Sequence, residues 1–159
     1  MEEILGILEK NCRYTAEQIA VMTGKNVEEV HEAIRKYEEK NIIVGYTALV
    51  NWEKTCKESV LALIEVKVTP QRGEGFDKVA ERIYKFPEVK ACYLMSGSFD
   101  LTVIIEGKTM KEAALFVAEK LAPLESVLST STHFVLKKYK DKGAVFADKP
   151  RDDREAIFI

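Results

Sequence analysis

Cysteine, histidine and surplus positive charge are all scarce in this chain of 159 residues. Its three cysteines, Cys12, Cys56 and Cys92, are odd in number and far apart. No pair has metal-ligand spacing, so neither a disulfide framework nor a zinc site is expected, and reduced thiols in a cytoplasmic protein are. With only His31 and His133, a histidine-rich metal site is not expected either. The net charge of −2 gives no general signal for a polyanionic partner. No apolar run approaches the roughly 20 residues that span a bilayer. The first residues, Met1-Glu2-Glu3-Ile4-Leu5, are acidic where a secretory signal would be basic. The chain also lacks a nucleophile–base pair at a recognisable spacing, a phosphate-binding glycine loop and a metal cluster. Catalysis, a cofactor and a membrane are therefore not expected.

What is present suffices for a buried core. Apolar residues make up 47% and charged residues 31% of the chain, the balance of one ordinary domain or two small ones. The charge is uneven. Residues 1–51 hold six Lys/Arg against nine Asp/Glu, a net of −3, and the remainder carries 18 against 17, a net of +1.

The first fifty residues read as three helices and a β-rich end. Ile4, Leu5, Ile7 and Leu8 form an apolar stripe at helical spacing. Thr15 followed by Gln18 is a capping-box arrangement at the start of a second helix. Gly24 suits the position just after that helix. Asn26 is placed to cap a third helix carrying Val30, Ala33, Ile34 and Tyr37 and reaching about Lys40. Ile42 to Val50, with Gly45 near the centre, reads as two short strands. Two short helices joined by a four-residue, glycine-containing turn match a helix-turn-helix, and the strand pair makes it winged. A generic three-helix bundle is the competing reading.

Residues 51–59 read as a linker that Trp52 can anchor. The order βαββαβ then follows: a strand over Val60–Thr69, a loop at 71–75, a helix over Phe76–Phe86 closed by Pro87, two strands, a helix over Met110–Leu121, and a last strand over Val127–Tyr139. This is the ferredoxin-like arrangement. Two helices on one face of a four-stranded antiparallel sheet leave the other face needing a partner or polar residues. The fold class is α+β, with domains at 1–50 and 60–142. A tail, 143–159, holds a possible short strand at Gly143–Phe146, a charged run at 148–155 and an apolar end, Ile157-Phe158-Ile159.

The two middle strands, Val89–Met95 and Leu101–Glu106, are joined by Ser96-Gly97-Ser98-Phe99-Asp100. Such a connection needs Gly97 for unusual backbone angles, but it does not obviously need a carboxylate beside a phenyl ring. A plain hairpin turn accounts for it. So does a site for something carrying an amine.

A winged helix-turn-helix followed by a βαββαβ domain resembles the Lrp/AsnC (feast/famine) family of transcription regulators. Four stretches carry the likeness: Ile42–Ala48, Phe86–Val89, Gly97–Asp100 and Ser129–Lys137. The resemblance implies that residues 60–142 form an amino-acid-sensing domain of the kind called RAM. It also implies dimers, and higher assemblies such as octamers, formed through that domain. A free amino acid or related metabolite would bind between RAM domains, at the Gly97–Asp100 turn. In that site Asp100 would accept from the ligand ammonium, and backbone N–H groups around Gly97 and Ser98 would donate to its carboxylate. Phe99 and Met95 would line the site or the core, and Thr130 and Thr132 would supply hydroxyls or simply fill the strand.

The third helix would enter the major groove of double-stranded DNA. A basic pair typical of the family is replaced by Glu32 and Ala33. The remaining candidates for DNA contact are Lys25, Asn26, His31, Arg35 and Lys36. An effector-binding oligomer with weak or lost DNA binding is the alternative reading.

Overall fold

The computed structural model describes residues 2–69 and 75–146. Most of the loop expected at 71–75, the charged run and the apolar end lie outside the described residues. The chain divides into two compact units, one ending at Val50 and one beginning at Asn51.

The first unit contains α1 (Glu2–Lys10), α2 (Ala16–Thr23) and α3 (Val27–Glu39). Its core is Ile4, Leu8, Ala16, Ile19, Ala20, Val30 and Tyr37, the helical stripes read from the sequence. Thr15 Oγ1 accepts from the Gln18 amide and Gln18 Oε1 from the Thr15 amide, which closes the capping box. Gly24 ends α2 with φ 65°, and its N–H bonds the Ala20 carbonyl. That left-handed conformation is what a glycine there provides. The expected wing is different. No strand forms over 42–50. The Ile42 and Ile43 amides instead donate to the Tyr37 carbonyl, winding the chain off α3. Tyr46 Oη donates to Glu38 Oε1 at 2.8 Å. Ile43 packs against the helical core, but Val44 beyond it is 89% exposed, and a lone two-stranded hairpin is marginal in water.

The second unit is built on a four-stranded antiparallel sheet in the order β2-β3-β1-β4. The strands are β1 (Val60–Val68), β2 (Val89–Leu94), β3 (Leu101–Gly107) and β4 (Val127–Phe134). The crossovers are α4 (Gly75–Tyr84) and α5 (Met110–Phe116). Helical winding continues past α5 as a π turn, Val117–Leu121, with the Ala122 amide bonded to the Val117 carbonyl. The last strand is shorter than expected: regular pairing ends at Phe134 and not at Tyr139. A small hairpin follows, β5 (Lys140–Asp141) with β6 (Ala144–Val145), which realises the strand expected in the tail.

Strand alternation sorts the sheet into two faces. Ala62, Ile64, Val66 and Val68 of β1 are buried with Leu101, Val103 and Ile105 of β3 and with Val79, Ile83, Ala113, Phe116 and Leu121 of the helical segments. The opposite face carries Leu61, Leu63, Glu65 and Lys67, opposed to Glu106, Ile104 and Thr102 on β3 and to His133, Ser131 and Ser129 on β4. No helix among the described residues is long and apolar enough to cross a membrane.

The segment entering β1 is held to the sheet. Lys57 Nζ sits 4.2 Å from the Trp52 ring centroid and 2.8 Å from Glu106 Oε1. Asn51 Nδ2 donates to the Phe146 carbonyl at 3.3 Å. The hydrogen bond from Lys57 holds the Glu106 carboxyl below the usual carboxylate range. A carboxyl depressed in the folded state stabilises above its unfolded value, about 4.3, and that contribution fades as pH falls through the lower folded value. The emission of Trp52, the single tryptophan, should therefore be flat at neutral pH and change on acidification. Glu106→Gln should show an altered emission already at neutral pH; a variant whose emission and pH profile match the wild type would contradict the contact.

Candidate functional site

The turn between β2 and β3 is tied to β1 by its last residue. Pairing of β3 with β1 ends at Leu101 opposite Val66. One step further along, the Asp100 amide donates to the Val66 carbonyl at 3.1 Å, and the Met95 amide closes the turn on the Asp100 carbonyl at 2.8 Å. Asp100 Oδ2 then accepts from the Val68 amide at 2.9 Å. The carboxylate thus takes the place of the strand backbone that has turned away, and it satisfies a buried N–H that would otherwise be left without a partner. On the other side of β1 the register against β4 shifts between Lys67 and Val68, a β-bulge that re-aims the strand end. Gly97 has φ 142°, a conformation that side-chain-bearing residues rarely adopt.

These restraints shape a cleft of about 200 Å³ on the open face of the sheet. Glu65 and Lys67 bring opposite charges to it, Ser98, Ser129 and Ser131 bring hydroxyls, and Phe99 and Thr130 complete the lining. Of the residues expected from the sequence, the cleft gathers Ser98, Phe99 and Thr130. Met95 and Gly97 are exposed in the connection. Thr132 pairs with Ile64, on the helix-covered side of the sheet. Asp100 carries a structural hydrogen bond on one carboxylate oxygen. Glu65, Lys67, Ser129 and Ser131 lie outside the expected set. Two charges two residues apart in an otherwise apolar strand mark Glu65 and Lys67 in the sequence, but their meeting with Ser129 and Ser131 depends on the β1–β4 register.

In the first unit, Asn26 Oδ1 accepts from the Glu29 amide at 3.0 Å. Its oxygen is therefore the α3 N-cap, which leaves the amide NH₂ for other partners. Lys25 and His31 are exposed. Lys36 Nζ lies 2.9 Å from Glu32 Oε1, and Arg35 Nε lies 3.8 Å from Glu39 Oε1. Both cations of α3 thus have a carboxylate one turn away. The Lys36 hydrogen bond holds the exposed Glu32 carboxyl below the usual range.

Comparison with known proteins follows the same two units. Residues 2–44 match the winged helix-turn-helix DNA-binding family model, and residues 61–145 match the Lrp/AsnC ligand binding domain. The chain is 52% identical to the uncharacterised HTH-type transcriptional regulator YugG of Bacillus subtilis, over 98% of this chain and 94% of the relative. It is 31% identical to the HTH-type transcriptional regulator FL11 of Pyrococcus furiosus, over 88% of this chain and 89% of that one. The fold matches the transcriptional regulator NMB0573 of Neisseria meningitidis, solved as an L-methionine complex. The TM-score is 0.71 at 24% identity, covering 87% of this chain and 89% of that one.

Replacing Asp100 by alanine would leave the Val68 N–H without its acceptor, at a cost of about 1–3 kcal/mol. Asparagine keeps an acceptor oxygen at the same place. Urea unfolding should therefore show Asp100→Ala clearly destabilised and Asp100→Asn much less so; equal losses, or none in either, would contradict the assignment.

Proposed function

This chain belongs to the Lrp/AsnC family of DNA-binding transcriptional regulators, and from that premise we propose that an amino acid is the signal it reads. The family consists of regulators and not enzymes. Its members pair a DNA-binding helix-turn-helix with a ligand-binding domain, and both family models match here.

The observation that carries the proposal is the cleft beside the Gly97–Asp100 turn, where opposite charges, hydroxyls and a phenyl ring converge. An amino acid offers an ammonium, a carboxylate and a side chain to such a lining. The L-methionine bound by the Neisseria regulator supports the same ligand class. The effector binds between RAM domains of a homodimer or of a higher assembly such as an octamer, in the cytoplasm. It acts by its different affinity for alternative assemblies, and it can shift their balance by no more than that difference. The DNA-binding heads then change their spacing on double-stranded DNA.

DNA contact falls to Lys25, Asn26, His31, Arg35 and Lys36. A head of net charge −3 has little of the phosphate neutralisation that drives non-specific affinity. Binding therefore relies on several linked heads acting together. The carboxylates beside Arg35 and Lys36 favour a second reading, an effector-binding assembly that binds DNA weakly.

A gel-shift assay on the upstream region of the protein's own gene separates the two. The regulator reading expects a shift at low salt that is lost steeply as salt rises. Lys36→Ala should weaken binding at every site and lower the salt slope by roughly one. No shift at low salt from protein confirmed to be oligomeric would leave the second reading standing.

A further inference from the structure

We propose that residues 51–57 are a clamped part of the second unit, that the joint between the two units is only Thr47–Val50, and that this short joint limits the spacing of the DNA half-sites the protein accepts. The inference rests on the reading that several linked heads bind DNA together, and it names what fixes their reach.

On the side of the first unit the last tie is at Tyr46, whose hydroxyl donates to Glu38 Oε1 at 2.8 Å. On the side of the second unit the first tie is at Asn51, whose Nδ2 donates to the Phe146 carbonyl at 3.3 Å. Thr47–Val50, between these ties, lies in no helix or strand and forms no hydrogen bond or ion pair among the described residues.

The segment beyond, which has the polar composition of a linker, is wound and fastened. Trp52–Lys54 is a 3₁₀ turn. The Thr55 amide and hydroxyl both donate to the Trp52 carbonyl, at 3.0 and 2.8 Å. The Lys57 amide then donates to Thr55 Oγ1 at 3.2 Å. Lys57 Nζ lies over the Trp52 ring and reaches Glu106 Oε1 on β3 at 2.8 Å. The acceptor for Asn51 is itself held. The Phe146 amide bonds the Tyr139 carbonyl at 2.9 Å, around the β5–β6 hairpin. Lys138 Nζ, 3.0 Å from Asp141 Oδ2, lies 5.2 Å from the Phe146 ring centroid. An exposed contact of this kind contributes little by itself. Here two of them fasten opposite ends of one segment, Asn51 and Lys57, to two different parts of the same unit.

The consequence is one of length. An extended chain spans at most about 3.3–3.6 Å per residue, so a four-residue joint reaches about 13–14 Å and the whole stretch 47–59, if released, about 43–47 Å. Half-sites one helical turn apart face the same side of the duplex. Inserting five base pairs moves one of them on the order of 17 Å along the axis and round to the opposite side. The short joint cannot follow that displacement, whereas the released stretch can. Release also lowers the effective concentration of the second head at the normal spacing.

The test compares the full-length wild type with Asn51→Ala/Lys57→Gln, two positions that precede the sheet, and with Asn51→Ala alone, which keeps every charge. Footprinting on the upstream region of the protein's own gene locates the half-sites. Gel shifts then use that fragment and versions with five or ten base pairs inserted between them. The wild type should lose about tenfold or more in affinity at five base pairs and recover most of it at ten. The double variant, at unchanged assembly state, should lose less than about threefold at five. Each figure is a ratio for one protein, so a uniform change in DNA affinity from the lost lysine cancels. Amides of 52–57 should exchange faster with solvent in the double variant, and Asn51→Ala should move both readouts in the same direction. Equal exchange in wild type and double variant, or an equal penalty at five base pairs, overturns this inference and leaves the regulator reading standing. If protein confirmed to be oligomeric binds none of the fragments, that reading falls and this inference with it.

Discussion

The hydrogen bond from the Val68 amide to the Asp100 carboxylate is the contact on which the second unit's functional end depends. β3 stops pairing with β1 at Leu101, two residues before β1 itself ends. Without another acceptor, a buried amide at the end of the central strand would be left open, a cost larger than the net gain from most single hydrogen bonds. A carboxylate at the first position beyond β3 answers this and anchors the turn at the same time. β1 lies between β3 and β4, and its register against β4 shifts at the same Lys67–Val68 step. Lys67 and Ser98 therefore flank an end of β1 that this one contact holds.

Exposed charges find partners in both units. In the second unit, the open face of the sheet carries Glu106, bonded to Lys57 at 2.8 Å, and Glu65, with His133 Nε2 3.6 Å away. In the first, the cations of α3 have carboxylates one turn away at Glu32 and Glu39. Such exposed pairs contribute little to stability, but they are competitors that a phosphate must displace.

Much of the fold was legible in the sequence because its signals were local. The Thr15–Gln18 capping box, Gly24, Asn26 and the apolar stripes each define their helix through contacts within a few residues. The alternation in Val60–Val68 likewise sorted Ala62 and Ile64 from Leu61 and Leu63. The misjudged points were those that depend on distant partners. Ile42 to Val50 has the composition of paired strands, but only Ile43 packs against the helical core and no strand forms. Val135 to Tyr139 continues the β-rich pattern, yet regular pairing stops at Phe134. For the site, Ser98 and Phe99 were visible in the turn itself. The side of the sheet on which Thr132 lies is decided by its pairing with Ile64, beyond the reach of any local pattern. The role of Asp100 depended on an amide 32 positions away, which no local pattern reports.

Amide hydrogen exchange at Val68, resolved by NMR or by fragment mass spectrometry, tests the central claim most directly. If the Asp100 carboxylate is committed to that amide, Val68 exchanges slowly in the wild type and much faster in Asp100→Ala, while Val66, inside the ladder, stays protected in both. Rapid exchange at Val68 in the wild type, or protection unchanged in the variant, would contradict the account and return the carboxylate to the ligand.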